Sequence, residues 1–243
     1  LMTRMGGLGI YAGFLCGFIV YGDFSRITMG LMLSATFVTA VGFYDDVKNI
    51  SPKLKLLGQI VAALILMIFG FHLEYITIPF TDVIVDIGWW GYPVTLLWVV
   101  GVCNAVNLID GLDGLASGVS SIAALSIGVV AYVSGLTYVT ALCLVLVGSI
   151  IGFLKWNFHP ASLFMGDCGS LLLGFILSVF SLMGLSEGVT LIGLAVPVLI
   201  LGIPILDTLF AIIRRKISHK PVFQADKGHF HHRLLDMGLS HRD

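Results

Sequence analysis

Of 243 residues, 58% are hydrophobic and only 11% are charged, and the mean hydropathy is +1.02. A soluble domain carries roughly 25% charged residues, so a water-exposed globule is excluded and lipid is the solvent of most of this chain. A net charge of −1 with no basic tract excludes nucleic acid as a partner.

A bilayer core about 30 Å thick needs roughly 17–25 apolar residues per helix. Eight stretches qualify, about 6–22, 27–44, 54–71, 92–109, 119–134, 136–154, 171–185 and 190–213. Arg4 before the first run resembles a signal peptide, but the many later spans make that run a true helix. The chain is therefore read as one integral-membrane domain, residues 1–243, all-α and polytopic with about eight transmembrane helices. Its 29 glycines suit such helices, because small residues let backbones approach. Pro197 and Pro204 should kink the last span. Between the third and fourth spans, Tyr75-Ile76-Thr77-Ile78 and Val83-Ile84-Val85 flank Pro79, Thr81 and Asp82, which predicts a small extracytoplasmic β-hairpin. Cys16, Cys103, Cys143 and Cys168 lack metal or redox spacing and are read as unpaired packing residues.

Alternating the loops between two sides sorts the charges. Side one receives the N-terminus and the loops near 45–53, 110–118, 155–170 and 207–243, with twelve of the 13 Lys and Arg residues. Arg26 alone falls on side two. The positive-inside rule makes side one cytoplasmic.

Four polar clusters lie on that side. Asp45-Asp46 ends the second span, followed by Lys48, Lys53 and Lys55; adjacent carboxylates repel unless a cation, a proton or lysines compensate. A solvated, lysine-neutralised loop accounts for this segment equally well. Asn104, Asn107, Asp110 and Asp113 are three apart and would share a stripe on a continuing helix, whereas Gly111 and Gly114 predict a tight turn open to a ligand. These are hard oxygen donors suited to Mg²⁺, set against a plainer reading as interhelical polar contacts. Phe164-Met165-Gly166-Asp167-Cys168-Gly169-Ser170 precedes a span, with Asp167 and Ser170 placed to cap it or to meet an anion. The last cluster runs from Arg214-Arg215-Lys216 to His229, His231, His232 and Arg233, suited to a polyphosphate, to anionic lipid or, less well, to zinc.

In this order the segments resemble the polyprenyl-phosphate N-acetylhexosamine-1-phosphate transferase family, which includes the phospho-N-acetylmuramoyl-pentapeptide transferases. The likeness spans nearly the whole chain and rests on NAVNLIDGLDGLASG (104–118) and FMGDCGS (164–170), with the Asp-Asp loop, PILDT and the histidine loop in support. It implies transfer of a sugar 1-phosphate from a UDP-sugar to polyprenyl phosphate in a bacterial cytoplasmic membrane, with release of UMP and dependence on Mg²⁺ (or Mn²⁺). It also implies a longer parent protein with further helices at both ends, and it is compatible with a homodimer among membrane lipids. By resemblance, Asp167 holds the metal with Asn107 as partner, and Asp110, Asp113 and Phe164 lie near the nucleotide. Asp45 and Asp46 match a base or acceptor-positioning pair, and His229, His231, His232 and Arg233 belong to a diphosphate-holding loop. The run His-Phe-His-His-Arg departs from the muramoyl-pentapeptide pattern and resembles the UDP-GlcNAc branch, so GlcNAc-1-phosphate is the expected group and the phospho-MurNAc-pentapeptide the alternative. Lys48 stands closer to the Asp-Asp pair than in some members. A transporter would need internal repeats and midplane charges, and an intramembrane aspartyl protease, faintly echoed by Tyr44-Asp45 and Gly166-Asp167, would leave the Asn-rich and histidine motifs unexplained.

Overall fold

A computed structural model describes residues 4–77 and 83–186 of the chain. Seven α-helices follow one another: α1 Gly6–Tyr21, α2 Arg26–Lys48, α3 Pro52–Ile68, α4 Gly91–Ile109, α5 Leu115–Val133, α6 Thr137–Asn157 and α7 Gly166–Ser186. Each overlies one predicted stretch; the eighth, with Pro197 and Pro204, lies outside the described residues. Five of the helices are long and apolar enough to cross a membrane, whereas α1 and α3 are shorter, at 16 and 17 residues.

The boundaries follow local chemistry. Ser25 and Ser51 cap α2 and α3 by accepting the N–H groups of Thr28 and Leu54, and Pro52 occupies the first turn of α3, where no partner for its nitrogen is needed. Arg26, the lone cation of side two, donates from Nη2 to the Ile68 carbonyl oxygen at 2.9 Å and closes the far end of α3. The predicted hairpin is present: β1 Tyr75–Thr77 pairs antiparallel with β2 Ile84–Asp86, with Ile76 opposite Val85. Its base is fixed by His72 stacked on Tyr92 at 4.1 Å and by Thr95 Oγ1 accepting the Leu73 N–H.

The bundle is apolar inside and out. Leu97, Val129, Leu144 and Ile151 face outward on α4, α5 and α6, as expected of surfaces wetted by acyl chains rather than water. At the centre runs α7, packed against α2 and α4 and, less extensively, α1 and α5; α6 pairs with α5 and α1, and α3 with α2 and α4. From Cys168 to Phe180 every side chain of α7 is buried. Such a helix is held by close packing, since lipid provides no hydrophobic drive between helices. Gly42 of α2 makes the closest approach possible: a methyl there would lie 2.5 Å from the Asp167 carbonyl oxygen and 2.6 Å from Cys168 Cα. Gly174 plays the same part toward α4, where a methyl would meet Cys103 Cα at 2.6 Å.

Because backbone opposes backbone at Gly42, no rotamer change relieves a larger side chain there. Gly42→Val should cost about 1–3 kcal/mol of stability, read as a lowered thermal midpoint of the detergent-solubilised protein. An unchanged midpoint would mean that α2 and α7 do not meet in this way.

Candidate active site

Four chain segments meet at one end of the bundle: the N-terminus, the end of α2 with the start of α3, the α4–α5 turn and the α6–α7 loop. Their meeting has specific causes. The Gly6 and Gly7 N–H groups, orphaned at the start of α1, donate to the Phe164 and Met165 carbonyls at 3.0 and 2.9 Å. Asn157, buried at the end of α6, accepts from the Gly114 N–H and from Ser117 Oγ and donates to the Leu163 carbonyl. It thereby ties the α4–α5 turn to the α6–α7 loop. Gly114, at φ +72°, permits that turn.

Two acids end α2, and they have different surroundings. Asp46 Oδ1 and Oδ2 accept the N–H groups of Asp167 and Cys168 at 2.9 and 3.0 Å. The carboxylate at the N-terminus of α7 is thus supplied by α2, where helix-end N–H groups and dipole both favour negative charge. The sequence offered Asp167 as a cap for its own helix; instead its carboxylate turns to other partners. Asp167 Oδ1 accepts from Asn107 Nδ2 at 2.5 Å, and Oδ2 meets Lys55 Nζ at 2.6 Å. Asn107 Nδ2 also donates to the buried Ser170 Oγ. Asp45, only 5% exposed, meets the same ammonium at 2.5 Å and accepts the Ile50 N–H at 2.8 Å. One lysine therefore bridges two carboxylates that are 122 residues apart in the chain.

The α4–α5 segment departs from the helical-stripe reading. Helix α4 ends at Ile109, and the glycines turn the chain, so the four polar residues separate in role. Asn104 exchanges hydrogen bonds with the buried Gln59 of α3, which is the interhelical polar contact. Asn107 faces Asp167. Asp110 and Asp113 enter the turn, where Asp113 Oδ2 accepts the Ala161 N–H at 3.1 Å and meets His159 Nδ1 at 3.0 Å. Burial, with the nearby charges of Asp167 and Asp46, pushes the Asp110 carboxyl up to about 7.

Between these segments lies a cavity of about 300 Å³, lined by Arg4, Asp46, Asp110, Asp113, Phe164 and Asp167 among others. This volume is at the lower end of the roughly 300–1,000 Å³ usual for small-molecule sites. All the predicted site residues among the described ones gather here or against it. His229, His231, His232 and Arg233 lie outside the described residues. Sequence reasoning noted Arg4, Asn157 and Lys55 but assigned none of them a role in the site. The lysine was the most accessible of these, because Asp45-Asp46 demands a nearby cation and Ser51-Pro52 starts a helix that carries Lys55 on its first turn. Lys48 and Lys53, the other candidates, are exposed.

Glycosyl transferase family 4 matches residues 28–185, which contain the two acids of α2, the turn and the start of α7. The chain belongs to that family. It is 44% identical over all 243 residues to a Bacillus subtilis (strain 168) protein named "Probable undecaprenyl-phosphate N-acetylglucosaminyl 1-phosphate transferase", of which it spans 68%. A decaprenyl-phosphate N-acetylglucosaminephosphotransferase of Mycobacterium leprae is 35% identical over 98% of the chain and 68% of that relative. A phospho-N-acetylmuramoyl-pentapeptide-transferase of Listeria monocytogenes serovar 1/2a is 38% identical over 74% of the chain and 60% of its own length. Family membership also disposes of the protease echo: Asp45 and Asp167 do meet, and the Lys55 ammonium contacts both.

Two outcomes follow from this geometry. Asp46→Ala leaves the first N–H groups of α7 without acceptors and should cost about 1–2 kcal/mol, measured by thermal unfolding. For Asp110, a folded pKa above the ordinary 3.8 means that the native state binds more protons than the unfolded one between pH 4 and 7. Its contribution therefore falls as pH rises through that window and is constant above it. Asp110→Asn should flatten this part of the stability profile; an identical profile in the variant would show that Asp110 titrates normally.

Proposed function

We propose that the chain transfers N-acetylglucosamine 1-phosphate from a UDP-sugar to polyprenyl phosphate, releasing UMP, as a membrane step of cell-envelope polymer synthesis. The observation that carries this reading is the 44% identity, along the whole chain, to the Bacillus protein whose name states that transfer. The Mycobacterium relative's name points to the same sugar on a polyprenyl carrier one unit shorter, and the His-Phe-His-His-Arg run (229–233) favours it over the phospho-MurNAc-pentapeptide. The placement of twelve of 13 basic residues on one side supports a site that faces the cytoplasm. There a lipid phosphate held at the headgroup level can meet a nucleotide that arrives from water.

The donor chemistry fits Mg²⁺. No three Asp, Glu, His or Cys side chains form a ready metal cage among the described residues. Magnesium typically takes one or two carboxylates and completes its shell with water and phosphate oxygens. Asp167 would supply one carboxylate, with the Asn107 amide oxygen as its partner, both hard oxygen. When bound, the ion would neutralise charge on the diphosphate and on the departing UMP. Asn107 donates its amide N–H to Asp167 and so orients that carboxylate, and Asp46 fixes the turn that carries it. Asp110, Asp113 and Phe164 would line the nucleotide side of the cavity, and Arg4 would add a cation to it. His229, His231, His232 and Arg233 would grip the diphosphate from the C-terminal loop.

The reaction is an in-line displacement at the β-phosphorus: a lipid phosphate oxygen forms the new P–O bond as the bond to UMP breaks. A phosphomonoester has its second pKa near 6 and is largely ionised at neutral pH, so the attacking oxygen needs no strong base. Asp45, held against Lys55, serves better as a positioning group than as a proton acceptor.

The test is UMP release from UDP-GlcNAc by the purified protein in lipid, with undecaprenyl phosphate and Mg²⁺. Asp167→Asn should lower the rate at least about 100-fold, the scale on which transition-state charge stabilisation is lost. UDP-MurNAc-pentapeptide should not compete for the same preparation. Turnover of that donor instead would overturn the choice of sugar, and a fully active Asp167→Asn would remove Asp167 from the centre.

A further inference from the structure

The Asp45–Lys55–Asp167 bridge is unusual in its placement. Lys55 lies on the first turn of α3, its side chain only 18% exposed, and its ammonium makes contacts of 2.5 and 2.6 Å to two carboxylates. Asp45 is itself 5% exposed and anchored by the Ile50 N–H. Two acids gathered at one point repel unless a positive charge or a proton lies between them, and here the Lys55 ammonium contacts both. Asp167 is also the carboxylate that opens onto the cavity beside Asp110 and Asp46. The ammonium and an incoming divalent ion would therefore compete for one oxygen pair, since Asp167 Oδ1 is already engaged by Asn107 and Oδ2 by Lys55.

We propose that Lys55 is a built-in counter-cation, which holds the Asp45–Asp167 pair while no divalent ion is present and yields Asp167 to that ion when it binds. The inference rests on the reading of Asp167 as the metal-holding carboxylate. The lysine supplies from within the chain one of the two charges that a divalent ion would bring. The arrangement also carries a cost, because the metal must displace an ion pair in order to bind. Lys55 thus acts as a positioning residue that sets how tightly the ion is held. Released from Asp167, which lines the cavity, its ammonium is still tethered to the buried Asp45, and phosphate oxygens would be its next partners.

The experiment uses the full chain in lipid nanodiscs without substrate, with Mn²⁺ binding followed by electron paramagnetic resonance. Lys55→Met keeps the aliphatic stem and removes the competitor, so it should bind Mn²⁺ at least about tenfold more tightly than the wild type. Its thermal midpoint without metal should fall, and Mn²⁺ should raise that midpoint by more than it does in the wild type. Affinity that is unchanged or weaker overturns the proposal. The metal reading survives that result if Asp167→Asn still loses the site, and both fail together if wild type and Lys55→Met bind no Mn²⁺. Should Lys55→Met not fold, the wild type decides: amine-directed labelling read by mass spectrometry should modify Lys55 faster with Mg²⁺ than without. Equal labelling rates overturn the proposal.

Discussion

The end of α2 and the start of α7 are joined by a carboxylate set against exposed helix N–H groups, Asp46 facing Asp167 and Cys168. In a low-dielectric bundle an unpaired N–H costs several kcal/mol, and α7 is buried along nearly its whole described length. Its first N–H groups, those of Asp167 and Cys168, take their acceptors from another helix. Gly42 lets α2 come near enough to do so. Once these two helix ends are fixed, Asp45 and Asp167 are forced together, and the Lys55 bridge is the electrostatic consequence.

Charge balance then organises the rest of the site. Asp45, Asp46, Asp110 and Asp167 occupy one small volume, served by Lys55 and Arg4. That surplus of negative charge would be unfavourable in a finished protein core. It is reasonable in a cavity meant to receive a divalent ion together with the phosphates it carries. The Asp110 carboxyl is raised first by burial and then by the nearby charges of Asp167 and Asp46, so it holds its proton nearly to neutrality. The hydrogen bonds of Asn107, Asn157 and Asp113 set orientation at the site.

The opposite end of the bundle has a different character. The hairpin, His72 on Tyr92, and Arg26 on the last carbonyl of α3 are closures of helix ends and loops. Among the described residues, acidic side chains do not converge there as they do near Asp167. This polarity between the two ends is what a transporter would lack, since its ion path needs charged groups near the midplane.

What the sequence settled by itself is what repeats locally or is fixed by composition. Apolar runs located seven helices, alternating β-branched residues located the hairpin, and the NAVNLIDGLDGLASG and FMGDCGS segments pointed to the family, because each depends on neighbours within a few turns. Tertiary structure alone decided which acid does what. Nothing in the string distinguishes Asp45 from Asp46, yet one meets a lysine and its neighbour meets a helix end, since adjacent residues on a helix point about 100° apart. Nor does the three-residue spacing of Asn104, Asn107, Asp110 and Asp113 reveal that one pairs with Gln59, one faces Asp167 and two leave the helix. The choice of Lys55 over Lys48 and the central burial of α7 likewise depend on how helices far apart in sequence pack. Those contacts are set by the shapes of facing surfaces, which no local pattern encodes.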